Sequence, residues 1–187
     1  MLPKLGRAVN VEHELGNYSA ELKGYIRSQS LPRDWFEYPD HIAIKAANTA
    51  HFDALVKQIR KGSLGVEVQD MIRADVDERR IALAFLAGSL AVGAEWQFRL
   101  VQIMGPQPDK AGKDKAGIDH MEFYQPLIKP IEQRLLKTGL IPSVDSRLGH
   151  NTLSIMFGQA KNELKFTDNP LAEVPQEEQP SGKLHAL

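Results

Sequence analysis

Two histidines occupy equivalent positions in a pattern that the chain repeats. The dipeptide Asp40-His41 opens an apolar alternating run, and Asp119-His120 opens a similar run 79 residues later. Each run has the alternation of a strand, and each is followed by a helical pattern that ends at a glycine. A strand–helix unit that recurs within one chain indicates an internal duplication. Because neutral imidazole is a common ligand of zinc, iron and nickel, the duplication predicts two histidines that could hold a divalent metal together.

Strand alternation predicts which side chains of the first run share a face with the histidine. Ile42 and Ile44 should pack on the helix of their own unit. His41, Ala43 and Lys45 are then left on the opposite face, which is the predicted site.

The second run predicts the same division. Met121 and Phe123 should pack on the second helix, and His120, Glu122 and Tyr124 should face the site. Glu122 follows His120 by one rung, about 6–7 Å along the strand. From the sequence, this separation is large for Glu122 to share a metal ion with His120.

The strand and helix patterns predict an α+β fold of two duplicated β-α-β-β-β modules. Further strands are predicted at 66–72, 80–86 and 96–103 in the first module and at 143–148, 152–157 and 163–167 in the second. The chain then divides into an N-terminal helical extension (1–39), a first module (40–104), a linker (105–118), a second module (119–170) and a flexible tail (171–187). The modules should form two curved mixed four-stranded sheets that enclose a shared cavity.

The helices are predicted from apolar stripes at spacings of three and four residues. Asn48-Thr49 should begin the helix of the first module, since both residues are good N-caps. Trp96 and Phe98 have the same strand parity as Gln102, which predicts that they line the cavity. The stripes expected to be buried are Val11, Leu15, Tyr18, Leu22, Tyr25 and Ile26; Phe52, Leu55, Val56 and Ile59; and Ile128, Ile131, Leu135 and Leu136.

Composition limits the classes of function. The 187 residues include 23 Lys and Arg against 24 Asp and Glu, with no basic stripe of the kind that binds nucleic acid. No cysteine is present, which excludes disulfides, thiolate metal sites and cysteine nucleophiles. The chain shows neither a secretory leader nor the run of roughly 18 apolar residues that a membrane span needs. We therefore expect a cytoplasmic protein with no nucleic-acid or membrane partner.

Several short pieces in order resemble a known family. They are Asp40-His41-Ile42, Trp96-Gln97-Phe98, Arg147-Leu148, Thr152-Leu153 and Leu164-Lys165-Phe166. Together with the two Asp-His strands, they resemble the vicinal oxygen chelate superfamily, which includes glyoxalase and methylmalonyl-CoA epimerase. Within that superfamily the chain is most similar to the YecM family of bacterial proteins.

The resemblance implies a set of metal ligands. In metal-binding members of the superfamily, four inward side chains from the first and last strands of each half hold one divalent cation. The matching positions here are His41, Gln102, His120 and Lys165. The lysine departs from the usual glutamate, and an ammonium group offers hydrogen-bond donors but no acceptor to a cation. The expected metal ligands are therefore His41, His120 and Gln102.

Two functions fit these residues. The first is an enzyme that uses Zn, Ni, Fe, Mn or Co to polarise a small, anionic substrate with adjacent oxygens, as an isomerase, lyase or dioxygenase. Glu122 or Glu163 would move a proton or supply a carboxylate ligand. The second is a metal-free protein that binds a small anion in the same cavity, and a homodimer is compatible with either. The residues expected to bind the substrate are Lys45, Lys165, Arg147 and Tyr124.

Overall fold

The computed structural model describes residues 10–76, 79–93, 95–106, 116–147, 150–159 and 161–172. A long helix, α1, and a short 3-10 helix precede the two modules. The elements, in order, are α1 (Val11–Ser28), the 3-10 helix (Arg33–Phe36), β1 (Pro39–Lys45), α2 (Thr49–Arg60), β2 (Val68–Val76), β3 (Arg79–Val92), β4 (Trp96–Met104), β5 (Gly117–Tyr124), α3 (Ile128–Lys137), β6 (Ser143–Arg147), β7 (His150–Phe157) and β8 (Asn162–Thr167).

The strands form one curved, unclosed mixed sheet of eight strands in the order β2-β3-β4-β1-β5-β8-β7-β6. Within each module the first and last strands pair in parallel, as β1 with β4 and β5 with β8. The modules join through antiparallel pairing of β1 with β5. The predicted α+β fold with duplicated modules is confirmed, but the two expected sheets are continuous, because the first strands of the two modules hydrogen-bond to each other.

The two module helices begin differently and end alike. Asn48 caps α2, where its side-chain oxygen accepts a hydrogen bond from the His51 backbone N–H at 2.8 Å. Each helix is followed by a glycine at positive φ, Gly62 at 79° and Gly139 at 81°. Glycine adopts this conformation without the steric cost of a Cβ atom, which explains why both helices stop where the sequence predicted.

All three α-helices contribute to a core on one face of the sheet, here called the helix face. Ile42, Ile44, Met121 and Phe123 belong to this core, as the alternation of β1 and β5 predicted. The aromatic residues before β1 dock on the same face, where the ring of Phe36 packs edge-on against Phe123 at 5.1 Å between centroids. The opposite face of the sheet, here called the site face, carries the two histidines.

Three side chains do not lie where the sequence patterns predicted: Leu136 is not buried, and Trp96 and Phe98 are buried on the helix face. Leu136 is 52 % exposed, because Ile128, Ile131 and Leu135 already supply the buried face of α3. Trp96 and Phe98 belong to the core of the helix face and pack against Phe123, so the prediction that they line the site is wrong. The β3–β4 register shifts between the Phe85–Leu100 and Leu90–Phe98 pairs, and this break reverses the parity of β4.

Some predicted features fall partly outside the described residues. β2 continues to Val76, beyond the predicted end at residue 72, and residues 77 and 78 are not described. Residues 107–115 of the linker and 173–187 of the tail also lie outside the described part. Among the described residues, no helix is long and apolar enough to cross a membrane.

Candidate metal centre

A β-bulge lies at each Asp-His dipeptide. Across the β1–β5 pair, His41 lies opposite Glu122 and Ala43 opposite His120. Between the pairs Pro39–Phe123 and His41–Glu122, β1 has one extra residue, Asp40. Between the pairs Ala43–His120 and Ile44–Ile118, β5 has one extra residue, Asp119. Neither aspartate has a partner across the β1–β5 pair. A bulge changes the direction of its side chains, and here it brings each aspartate beside the histidine that follows it.

The two aspartates hold the two imidazole rings in the same way. Oδ2 of Asp40 lies 2.6 Å from Nδ1 of His41, and Oδ2 of Asp119 lies 2.7 Å from Nδ1 of His120. A carboxylate only accepts hydrogen bonds, so each Nδ1 carries a proton and each ring turns its Nε2 toward the other, with a lone pair there when the ring is neutral. A carboxylate on the far ring nitrogen is the usual arrangement behind a metal-bound histidine.

The free edges of both rings converge on one carboxylate. The Nε2 atoms of His41 and His120 are 3.2 Å apart. Oε2 of Glu122 lies 3.4 Å from the first and 3.5 Å from the second. Glu122 is therefore much closer to the histidines than one rung along the strand suggests, because it lies directly across from His41. Two imidazoles and one carboxylate are the donor set of an open facial triad.

The donors are buried among charged groups. Asp40, His41, His120 and Glu122 are each at most 8 % exposed. Four carboxylates, those of Asp40, Asp119, Glu122 and Glu163, surround the histidines with two ammonium groups, those of Lys45 and Lys165. With both imidazoles neutral, this group carries two negative charges. Buried charge of this kind is normally paired or bound to a metal, so the residues fit a divalent cation.

The pKa values of the cluster show the same charge imbalance. Burial and the charge of Lys165 act to lower the pKa of His120, but hydrogen bonds to Asp119 and Glu122 outweigh them and raise it above its usual range. Burial opposes ionisation of Glu122, yet its hydrogen bond to His120, the positive charges of His41 and His120 when protonated, and the charge of Lys165 lower its pKa to about 2. The cluster therefore attracts positive charge, which either protons or a metal can supply.

Different groups satisfy the second oxygen of each aspartate. Oδ1 of Asp40 accepts a hydrogen bond from the backbone N–H of Ala172 at 2.9 Å, and Oδ2 accepts another from Leu171 at 3.1 Å. Oδ1 of Asp119 instead lies 3.2 Å from the ammonium of Lys45. Lys45, which was expected to bind substrate, is thus engaged in an ion pair behind His120.

Lys165 and Glu163 lie beside the triad on β8. Lys165 pairs with Glu122 across β5–β8, and Glu163 pairs with His120. Ligand atoms of Glu163, His120 and Asp119 lie within 4.8 Å of one another, and the Lys165 ammonium is 3.8 Å from the Glu163 carboxylate. Both side chains are about a quarter exposed, so they form the accessible border of the buried triad.

The other predicted site residues lie on strands other than those of the triad or farther along the same strands. Gln102 lies on the site face and pairs with Ala43, which in turn pairs with His120. The ring of Tyr124 packs edge-on against Tyr38 at 6.4 Å. Arg147 lies in β6, and its side chain is outside the described part.

Tyr18 of α1 reaches the strands that carry the site, which the sequence reasoning did not foresee. Its hydroxyl donates to the Glu163 carbonyl oxygen and accepts from the Met121 N–H at 3.0 Å, so that it bridges β5 and β8. Burial raises the pKa of Tyr18 above its usual range, which keeps this hydroxyl protonated. The apolar stripe of α1 predicted burial of Tyr18, but no pattern in the sequence indicates a bridge between two strands.

Comparison with solved structures supports the assignment of the fold. A structural-genomics protein designated EC4020 is 20 % identical, with a TM-score of 0.66 over 91 % of this chain and 92 % of that one. Methylmalonyl-CoA epimerase from Mycobacterium tuberculosis is 16 % identical, with a TM-score of 0.50 over 75 % of this chain and 93 % of that one. Hydroxyglutarate synthase from Oryza sativa, solved with 2-oxoadipate, is 8 % identical, with a TM-score of 0.51 over 97 % and 91 %.

No family model matches the chain, and no curated protein matches its sequence. The structural likenesses show a fold of the vicinal oxygen chelate type, as the two Asp-His strands predicted. At these identities the likeness extends to the fold alone.

Proposed function

We propose that the protein is a metal-dependent enzyme whose divalent cation is held by His41, His120 and Glu122. The observation that supports this most is the direction of the lone pairs. Because each Nδ1–H is used by an aspartate, two Nε2 lone pairs and a carboxylate face one another within 3.5 Å. Such an arrangement is repulsive unless a cation or added protons lie among the three groups. Glu122 then acts as a ligand, in addition to the predicted histidines, and Gln102 remains a weaker fourth candidate.

The substrate in this proposal is a small anion with adjacent oxygens, and the reaction is of the glyoxalase, epimerase or dioxygenase type. A metal ion in the triad would supply Lewis-acid polarisation of a substrate oxygen. Glu163 transfers a proton to or from the substrate, since its carboxylate is partly exposed and lies beside His120. Lys165 attracts the anionic group of the substrate at the same border. We also propose, from the sequence pieces given above, that the chain is YecM-like.

Metal titration tests the proposal. We expect protein purified without added metal and treated with a chelator to bind Ni²⁺ or Zn²⁺ in a calorimeter with one-to-one stoichiometry. Glu122→Gln, which keeps the size of the side chain, should weaken binding by about a hundredfold, or about 2.7 kcal/mol. Binding that is equally strong in a His41→Ala/His120→Ala variant would show that the metal lies elsewhere.

The second candidate is a metal-free anion-binding protein. The Lys165 ammonium at the accessible border favours it, because a partly exposed ammonium there attracts a carboxylate or phosphate. Elemental analysis of the protein as purified separates the two functions. Less than one-tenth of an equivalent of transition metal, together with phosphate binding that is lost in Lys165→Met, would favour the metal-free function.

Replacement of Lys165 gives a further separation. Lys165→Glu adds a carboxylate on the strand beside Glu122 and removes an ammonium that repels a cation. We expect it to raise affinity for Ni²⁺ or Zn²⁺ by at least about tenfold, or about 1.4 kcal/mol. Lys165→Gln is the matched control, since it removes the charge and adds no carboxylate. Equal affinities of wild type and Lys165→Glu would contradict the placement of Lys165 next to the cation.

A further inference from the structure

The two halves of the site face differ in polarity although they share one topology. A row of paired residues runs from Ile72 through Leu83, Gln102 and Ala43 to His120. Beyond His120, the same row continues to Glu163 and then Met156. The first-module side of this row is aliphatic apart from the amide of Gln102, whereas on the second-module side a carboxylate lies directly beside His120.

A neighbouring row repeats this difference. On the first-module side, Leu100 lies next to the position of His41 in β1 and pairs with Phe85, and the row ends at the exposed edge residue Asp70. On the other side of His41, the row continues through Glu122 and Lys165 to Ser154. The triad thus lies on a boundary between an apolar flank and a polar flank.

The apolar flank is accessible. Leu83 and Phe85 are partly exposed, and Ile72 at the edge of the sheet is 47 % exposed. These residues lie on the opposite side of β2 and β3 from the core, which takes Ala82 and Ala84 from the same stretch of β3. Large apolar side chains left on one continuous patch usually mark a binding surface.

From this boundary we infer that the substrate is amphipathic: its oxygen-bearing anionic end lies at the triad and Lys165, and its other end is an apolar chain that lies over Leu83 and Phe85. Phe85 is two strands from His41, a span of about 10 Å at the usual strand spacing. An aliphatic chain of several carbons covers that distance. This inference rests on the proposed metal site, which must hold the oxygen-bearing end.

A chain-length series tests the inference with the full-length protein loaded with Ni²⁺. The probes are straight-chain 2-oxo acids with four, six and eight carbons, titrated by calorimetry into the Ni²⁺-loaded protein. We expect each added methylene to tighten binding about two- to fourfold, as burial of apolar surface requires. Phe85→Asn and Leu83→Ser should flatten the series while the four-carbon acid binds as before. Ser154→Ala, on the polar flank, is the matched control and should leave the dependence on length unchanged.

The outcomes separate this inference from the proposed function. If acids of all lengths bind equally, the metal site stands and the amphipathic substrate is excluded. If no acid binds although Ni²⁺ does, the proposed substrate class fails together with the inference. If sedimentation shows a dimer that Leu83→Ser dissociates, with the length dependence unchanged, the patch is an interface between copies and the inference is overturned. Circular dichroism and thermal melting of each variant identify any loss that is due to misfolding.

Discussion

The two Asp-His pairs share the same side-chain arrangement, but different groups hold each aspartate in place. Both place an aspartate at a bulge and hold an imidazole through Nδ1, at 2.6 and 2.7 Å. Asp40 is then fixed by two backbone N–H groups from the segment after β8, whereas Asp119 is fixed by the flexible, charged side chain of Lys45. Duplication has preserved the contact to the ring and not the support behind it. The first pair is therefore held mainly by main-chain geometry, and the second mainly by charge.

The largest expected effect tests whether both pairs are independent of the core. Ile44→Asp, on the helix face, should unfold the protein, because an unpaired buried charge costs several kcal/mol. His41→Ala and His120→Ala should each keep a cooperative melt while abolishing detectable Ni²⁺ binding. Thermal denaturation and calorimetry on the same preparations measure the two properties. Equal thermal losses in Ile44→Asp and His41→Ala would mean that the first pair is structural.

The next effect compares the aspartates. Asp40→Asn and Asp119→Asn should each weaken Ni²⁺ binding by about 10- to 100-fold, since each removes the carboxylate behind a ligand. Lys45→Met should reproduce part of the Asp119 effect and leave the Asp40–His41 contact intact. Comparable losses from Lys45→Met in the wild-type and Asp119→Asn backgrounds would show that Lys45 does not act through Asp119.

A smaller effect tests the backbone support of Asp40. Leu171→Pro removes the N–H that donates to Oδ2 of Asp40, and a lost hydrogen bond of this kind costs about 1–3 kcal/mol. We expect this variant to lose affinity for Ni²⁺ about three- to tenfold, whereas Leu171→Ala, which keeps the N–H, should bind as wild type. The Nδ1 proton resonance of His41 gives a readout that needs no metal. An unchanged resonance in Leu171→Pro would contradict a role of this segment in holding the ring.

The smallest effect concerns pH. The pKa of His120 is raised, so in the metal-free protein a proton competes with the metal for Nε2. Apparent affinity should therefore rise with pH and level off only above that raised pKa, whereas Glu122, with its pKa at about 2, is ionised throughout the neutral range. Asp119→Asn removes the main attraction for this proton and should shift the midpoint to lower pH. A titration curve that is the same for both proteins would exclude His120 as the group that competes.

The sequence predicted the pairing of the histidines but not what completes their site. The duplicated strands and their alternation placed His41 and His120 on one face, because a two-residue period leaves little choice of side once a helix covers the other. The bulges at Asp40 and Asp119 carry no sequence signal, since their extra residues fit the alternation of an ordinary strand. The close approach of Glu122 depends on the β1–β5 register, which only the assembled sheet sets.

Two further misses have the same origin. Trp96 and Phe98 were assigned by counting from Gln102, and a single irregularity in the β3–β4 register reverses that count. The hydrogen bonds from Leu171 and Ala172 to Asp40 link positions that are 131 and 132 residues apart, in a stretch without periodicity. Local patterns therefore predicted the elements and their faces, and long-range contacts decided the geometry of the site.

Because β1 and β5 belong to different modules, the candidate metal site can form only after the two modules have paired. Each half contributes one imidazole, and the two ligand nitrogens come within 3.2 Å only after the halves have docked. The first half by itself supplies His41, and the second supplies His120 with Glu122 and Glu163, so neither half has both imidazoles. The appearance of tight metal binding during refolding therefore reports when the two modules join. A cobalt or nickel ion can thus be used to measure the rate of this last step of assembly.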